Sequence, residues 1–250
     1  MIISPGCCQH VGDRSNQQDA FGFSDKDDLD FVTHGGVLAV VADGMGGKVN
    51  GGESSKLAVS VFLRSYMAKQ ANVTVQDALL VALQEASSTV IGLANEVGEE
   101  NVGTTLVAAV IHGDTLNWVA VGDSRLYLTR TGKLTQLTVD HVFANELDRD
   151  AANGKISREE AKNHPERLAL TSYLGLNPLE LIDKNLEPFF LLPKDQLLLC
   201  SDGLYTALES KEVTALYAND PQKTAEKLVA RVLDKKRPGQ DNLTVAVLGC

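Results

Sequence analysis

Val37-Leu38-Ala39-Val40-Val41-Ala42-Asp43-Gly44 is an unbroken apolar run that stops on a carboxylate. The same device recurs at Trp118-Val119-Ala120-Val121-Gly122-Asp123 and at Leu197-Leu198-Leu199-Cys200-Ser201-Asp202-Gly203. Asp241-Asn242-Leu243-Thr244-Val245-Ala246-Val247 inverts it, with the acid at the start. Runs of this length and β-branched content read as buried strands. Asp is a poor strand former, so its return at strand ends is informative. If these ends meet, they make a dense carboxylate cluster. Carboxylates so close repel and protonate unless cations hold them ionised, and oxygen-only ligands point to magnesium, manganese or calcium rather than zinc.

Outward from those strands, strand signals dominate from the start to about residue 42. Two helical stretches follow. Residues 53 to 69 carry Leu57, Val61, Phe62 and Tyr66 at helical spacing. The next stretch carries Val75, Leu79, Ala82, Leu83, Ala86, Val90 and Val97, with Thr74 as its expected N-cap. From Thr104 to Leu137 short apolar strands return, punctuated by His112-Gly113-Asp114 and Thr131-Gly132-Lys133, and read as an antiparallel meander. A polar helical segment is expected over 141–164, strands over 186–192 and 196–202, helices over 209–217 and 221–236, and a last strand over 243–248. Strands and helices in blocks argue for α+β with antiparallel sheets.

The chain has 250 residues, 44% of them hydrophobic, enough to bury a full core, and no linker divides it. A formal charge of -10 argues against a nucleic-acid backbone or an anionic membrane as main partner, since Lys and Arg hold both. The start lacks a basic region followed by a long apolar stretch, and no apolar run reaches the roughly 20 residues of a membrane span. A cytoplasmic protein is expected. Cys7, Cys8, Cys200 and Cys250 have neither zinc spacing nor a disulfide framework, so reduced thiols are expected, with Cys200 packed in its strand rather than acting as a nucleophile.

Two motifs invite other readings. Asp43-Gly44-Met45-Gly46-Gly47 suggests a dinucleotide fingerprint, but the spacing requires Gly where Val49 stands, and the setting is not a βαβ unit. Residues 149–160 echo a calcium-binding EF-hand loop, yet Arg149 and Ala151 occupy positions that need oxygen ligands, so a solvated helix-turn-helix is expected.

Arg14-Ser15-Asn16-Gln17-Gln18-Asp19, Asp43-Gly44-Met45-Gly46-Gly47, Gly103-Thr104-Thr105, Gly122-Asp123-Ser124-Arg125, Ser201-Asp202-Gly203-Leu204 and Asp241-Asn242 stand in the order found in the metal-dependent protein phosphatase 2C family. The chain resembles its bacterial single-domain members over nearly its whole length. The resemblance implies an α+β, four-layer αββα sandwich: two central antiparallel β-sheets flanked by helices, with a small flap insertion at 141–174 within one catalytic domain spanning 1–250.

It also implies roles. Asp43 matches the carboxylate that bridges two Mn2+ or Mg2+ ions, and Gly44 the glycine whose carbonyl joins it. Asp202 and Asp241 match the acids that complete the neighbouring ion, and Asp19 an acid acting through metal-bound water. Asp123 with Asp202 matches the pair that holds a third, weaker ion. Arg14 matches the phosphate-binding arginine, whose planar fork takes two phosphate oxygens at once. The implied chemistry is attack of a metal-bridging hydroxide on phosphoserine or phosphothreonine in proteins, by a monomer that reverses a bacterial Ser/Thr kinase.

Two departures stand out. Met45 replaces a His that serves many eukaryotic members as a candidate general acid, leaving a metal-bound water or His141 for that task. Gln18 stands where several relatives carry Glu, so it offers a carbonyl without charge. The competing classes are a binding module that has lost catalysis, disfavoured because every expected aspartate is present, and another two-metal hydrolase such as a nuclease or small-molecule phosphatase, the nuclease being disfavoured by the acidic balance.

Overall fold

The computed structural model describes residues 2–46, 50–98 and 102–250. Gly47 and Val49, which enter the motif readings above, lie outside the described residues. In chain order the elements are β1 (Ser4–His10), β2 (Asp19–Phe23), α1 (Leu29–Gly35), β3 (Val37–Met45), α2 (Asn50–Met67), α3 (Val75–Val97), β4 (Gly103–Thr104), β5 (Leu106–His112), β6 (Thr115–Val121), β7 (Arg125–Arg130) and β8 (Lys133–Gln136). They continue with α4 (Ala144–Ala152), α5 (Arg158–Asn163), β9 (Asp183–Lys184), β10 (Phe189–Phe190), β11 (Gln196–Cys200), α6 (Asp202–Tyr205), α7 (Ser210–Leu216), α8 (Pro221–Asp234) and β12 (Leu243–Gly249).

Two antiparallel sheets result. One has the order β1-β12-β11-β7-β8, and the other runs β10-β6-β5-β3-β2, with β9 on β6 and β4 on the end of β3. Strand side chains alternate between faces, and here both faces are covered. Val37, Ala39 and Val41 of β3 meet Leu197, Leu199, Ala246 and Leu248 of the other sheet in the central layer. Leu38, Val40 and Ala42 turn the other way, against Ala58 and Phe62 of α2 and Leu79 and Leu83 of α3. On the opposite outer face, Leu198, Val245 and Val247 pack against Val213 of α7 and Leu228, Val229 and Val232 of α8. Double coverage explains why the strands read as unbroken apolar runs rather than as alternating ones. The α+β sandwich expected from the sequence is therefore the observed fold.

By length and composition α3 could cross a membrane. Its buried residues Leu79, Ala82, Leu83, Ala86 and Val90 instead form one stripe within the core beside α2. Thr74 caps it as expected, its hydroxyl accepting the Asp77 N–H at 3.1 Å.

Three expectations need correction. The stretch from Thr104 to Leu137 is not one meander: β5 and β6 form a hairpin in one sheet, β7 and β8 a hairpin in the other, and Gly122-Asp123-Ser124 carries the chain between sheets. Gly122 adopts φ +95, and a Cβ there would strike the Thr105 side chain at 2.6 Å, so the crossing needs glycine. Between β2 and β3 lies the unforeseen α1, capped by Asp28, whose carboxylate accepts the Phe31 N–H, and ended by Gly36 at φ +69. The strand expected over 186–192 shrinks to β10, beside an equally short β9.

Candidate active site

Strand ends from both sheets deliver the acids to one place. Asp19 opens β2 and lies directly opposite Asp43 near the end of β3. Asp123 follows β6, Asp202 opens α6 straight after β11, and Asp241 precedes β12. Each of Asp19, Asp202, Asp123 and Asp241 acts electrostatically on Asp43, so all five carboxylates share one neighbourhood. The predicted site residues are thus brought together.

Asp43 is held through its backbone. Its N–H donates to Thr105 Oγ1 at 2.9 Å, and its carbonyl accepts from Thr104 Oγ1 at 2.8 Å and from the Thr105 N–H at 2.9 Å. This leaves the carboxylate free of backbone duties. Thr105 Oγ1 also pairs with Ser124 Oγ at 2.6 Å, tying the Asp43 strand to the Asp123 loop. Beyond Asp43 the chain passes tightly under α2: a Cβ at Gly44 would lie 1.9 Å from the Gly51 carbonyl oxygen and 2.7 Å from that of Gln18. Only glycine fits there. Gln18, whose lack of charge drew notice in the sequence, donates its side-chain amide to the Gly46 carbonyl at 3.3 Å, and its backbone carbonyl accepts the Gly44 N–H at 3.0 Å.

Asp19 is 1% exposed. Its Oδ2 accepts from Ser201 Oγ and Thr244 Oγ1, each at 2.7 Å, while its Oδ1 has no hydrogen-bond partner. Burial raises its carboxyl pKa to about 6, against the lowering influence of the two hydroxyls and with the Asp241 charge adding to the rise. Asp202 is pushed up to about 7 by burial and then by Asp123, Asp241 and Asp19, and its Oδ1 is likewise buried without a partner. Burial first, then Asp19, Asp202, Asp123 and Asp241, raises Asp43 well above the ordinary carboxylate range. Burial also raises Asp123.

On the rim, Arg14 Nη2 donates to Asp241 Oδ2 at 2.7 Å, and the arginine side chain is 56% exposed. Its loop is stapled in place by Asn242, whose Oδ1 accepts the Gln18 N–H at 2.7 Å and whose amide donates to the carbonyls of Val11 and Asn16. Tyr205 Oη lies 3.0 Å from Asp123 Oδ2. His141 is buried, and its Nδ1 accepts the Gly122 N–H at 3.2 Å while its own backbone N–H donates to the Gly122 carbonyl at 2.9 Å. It brackets the sheet crossing beside Asp123. Ser201, Thr244, Thr105, Ser124 and Tyr205 went unnoticed as site residues in the sequence, although each is at most three residues from a motif aspartate or inside the Gly103-Thr104-Thr105 motif.

Among the described residues no three His, Cys, Asp or Glu side chains are drawn into a finished metal cage. The carboxylates face one another, but several lean on protein donors instead. The donor set nevertheless fits hard divalent cations: the acids offer only oxygen, two buried carboxylate oxygens lack partners, and the carboxyls of Asp19, Asp43, Asp123 and Asp202 are pushed toward protonation. An unpartnered buried polar atom costs about 1–3 kcal/mol, more when charged, and a divalent ion removes that cost for several carboxylates at once.

Comparison with known proteins agrees. The family described as Protein phosphatase 2C matches residues 8–240. The serine/threonine phosphatase stp of Listeria welshimeri is 33% identical over 215 residues, covering 84% of this chain and 83% of the relative. The serine/threonine phosphatase of S. agalactiae superposes with a TM-score of 0.83 at 27% identity, over 98% of each chain. The catalytic domain of the serine/threonine protein phosphatase PstP, solved in complex with two manganese ions, has a TM-score of 0.77 at 27% identity, covering 99% of this chain and 97% of that one. The chain belongs to the protein phosphatase 2C family, and its activity is that of a serine/threonine phosphatase.

Proposed function

We propose that this chain is a Mn2+- or Mg2+-dependent phosphatase that hydrolyses phosphoserine and phosphothreonine in proteins, reversing the work of a bacterial Ser/Thr kinase. The observation that carries the metal requirement is the pair of unpartnered buried oxygens, Asp19 Oδ1 and Asp202 Oδ1, inside a group of five carboxylates. Asp43, Gly44, Asp202 and Asp241 would hold two ions, with Asp19 beside them, and Asp123 with Asp202 would hold a third. The manganese pair of the PstP domain supports this reading. When bound, such ions supply a hydroxide nucleophile and offset charge on the phosphoryl oxygens.

The remaining work falls to this chain's own groups. Arg14 is half exposed at the rim, so its guanidinium can take a phosphate bidentately while Asp241 keeps it oriented. Asp19, fixed through Oδ2 by Ser201 and Thr244, presents only Oδ1 to the cluster. His141 contributes no acid function in this reading, because its Nδ1 is spent on the Gly122 N–H and burial lowers its pKa.

One catalytic domain spans residues 1–250, with 141–174 as its flap. The flap is pinned at its root, where Phe143 and Ala144 N–H groups donate to the Ala169 and Arg167 carbonyls, and braced by Arg167 on Asp148 at 2.8 Å. Its α4 and α5 form the expected helix-turn-helix, with a capping box at Ser157 and Glu160. Substrate protein would meet that surface. The enzyme acts as a cytoplasmic monomer, with neither nucleic acid nor membrane as partner.

Phosphate release from a phosphothreonine peptide, measured with manganese, with magnesium and with excess chelator, tests the reading. Release that depends on either ion and disappears in Asp202→Asn supports it. Release that survives chelation would overturn it.

A further inference from the structure

Asp123 sits where the chain crosses from one sheet to the other, between β6 and β7, so something other than a ladder must aim it. Its partner comes from α6. That helix is a single turn, and Asp202 and Tyr205 stand three residues apart on it, on neighbouring faces. One turn therefore delivers a carboxylate to the cluster and a phenol to the acid across from it. Tyr205 Oη lies 3.0 Å from Asp123 Oδ2 and 3.1 Å from the Asp123 carbonyl oxygen.

The ring itself is clamped. The Arg125 guanidinium lies over it at 3.4 Å from the centroid. Arg125 cannot wander, because Nε and Nη2 grip Asp140 at 2.6–3.0 Å and Nη1 donates to Tyr127 Oη at 2.9 Å. Residues two apart in one motif thus hold Tyr205 from two sides, Asp123 at its hydroxyl and Arg125 at its face. A stacked, bidentate arginine of this kind has no equivalent in lysine.

We propose that Tyr205 is a positioning residue for Asp123: its hydroxyl fixes Oδ2, and the Arg125-Asp140 clamp on its ring turns that bond into a set orientation of the carboxylate toward Asp202. The inference rests on the reading of Asp123 as a metal-holding group. Outer partners that orient a ligand typically contribute 10–100-fold to metal affinity. The Thr105–Ser124 hydroxyl pair steadies the same loop from the other side without touching the Asp123 carboxylate. Among the side chains of the described residues, Tyr205 alone donates a hydrogen bond to the Asp123 carboxylate.

The test is manganese binding to chelator-treated protein, followed by calorimetry, for wild type, Tyr205→Phe, Asp123→Asn and the double variant. Tyr205→Phe keeps the ring on Arg125 and deletes only the hydroxyl, and its unfolding in chelator, read by circular dichroism, shows that the fold is intact. The expected result is about tenfold weaker binding of the least tightly held manganese in Tyr205→Phe, at the low end of the outer-partner range. The more tightly held ions should be unaffected, and the double variant should be no weaker than Asp123→Asn alone. A loss that adds fully to that of Asp123→Asn, or no loss while Asp123→Asn weakens binding, would overturn the role of Tyr205 and leave the metal reading of Asp123 standing. Unchanged binding in Asp123→Asn itself would overturn both.

Discussion

The two halves of the acidic cluster are built differently. Asp19 and Asp43 face each other across adjacent strands of one sheet, Asp19 almost wholly buried under two hydroxyls and Asp43 fastened through its backbone by two threonines. Asp123, Asp202 and Asp241 lie on segments that leave the strands, and their partners are side chains such as Tyr205 and Arg14. One half is fixed by the ladder itself. The other is adjustable only in that side chains rather than a ladder hold it, and Arg14 with Asp241 brings it to the rim where a substrate must arrive. A rigid half suits charge that must be preorganised, while an adjustable half suits groups that exchange partners when phosphate binds.

The largest effect is expected on the rigid side. Asp43→Asn keeps the shape and the backbone bonds but removes a charge that no neighbour can replace. Metal-dependent turnover should fall well beyond the roughly 100-fold typical of a lost outer partner. The melting temperature in chelator should rise, because a repelled carboxylate has been neutralised. Normal turnover would mean that the rigid half is only scaffold.

Arg14→Ala probes the adjustable side and should cost less. Loss of a charge-assisted contact of about 1.5–3 kcal/mol corresponds to roughly 10–100-fold in kcat/KM, carried mostly by KM for phosphopeptide. A fall in kcat at unchanged KM would place Arg14 in the reacting step rather than in binding.

Both halves carry a pH signature when metal is removed. With carboxyl pKa values of about 6 at Asp19 and about 7 at Asp202, against an ordinary 3.8, the folded protein holds protons that the unfolded chain has released. Stability from these groups is full below about pH 4 and is lost as pH rises through 6 and then 7. A tenfold difference in proton affinity between folded and unfolded chain corresponds to about 1.4 kcal/mol, so the loss is on the order of a few kcal/mol for each acid. In chelator the melting temperature should fall between about pH 4 and pH 7, and added manganese should flatten that fall. Asp202→Asn should remove part of the slope. A melting temperature that climbs across the same window would contradict the burial of these acids.

Thr105→Val cuts the link between Asp43 and the Asp123 loop, since Thr105 Oγ1 serves both the Asp43 N–H and Ser124. Leaving that N–H unpaired should lower stability by about 1–3 kcal/mol. Manganese affinity should weaken at Asp43 and at Asp123 together. Weakening at one alone would show Asp43 and the Asp123 loop to be independent.

Asp43 of the rigid half and Asp123, Asp202 and Asp241 of the other are legible as carboxylates at strand ends, whereas Asp19 enters only through the family resemblance. Apolar runs covered on both faces stop conspicuously at Asp43 and Asp202, so strand ends and carboxylates could be read together. What aims them could not. Ser201 and Thr244 reach Asp19 from another sheet, and nothing local marks a strand hydroxyl as facing a distant acid. Tyr205 falls between the strand expected over 196–202 and the helix expected over 209–217, and nothing marks its hydroxyl until Asp123 is placed beside it. The move from β6 to β7 is absorbed into a single meander in the sequence because short apolar strands stand on both sides of it. Only the packing of two sheets shows that Gly122 turns the chain out of one and into the other.

His141 gives the smallest expected effect and the sharpest division between a chemical and a structural role. Its Nδ1 accepts the Gly122 N–H, and its backbone N–H returns a bond to the Gly122 carbonyl, so the residue closes a ring around the crossing that carries Asp123. Burial lowers its pKa, which disfavours the protonated form that a general acid would need to hold. Asparagine places an amide oxygen close to where Nδ1 stands, preserving the acceptor while deleting the titrating ring. His141→Asn should therefore leave kcat on phosphopeptide within about threefold, far short of the 10²–10⁴-fold that a lost general acid costs. The alkaline limb of its pH profile should not move. His141→Phe, which deletes the acceptor as well, should instead weaken manganese binding at Asp123 and loosen the adjustable half alone. A collapse of kcat in His141→Asn with manganese binding intact would return the proton to His141 and make the bracket incidental.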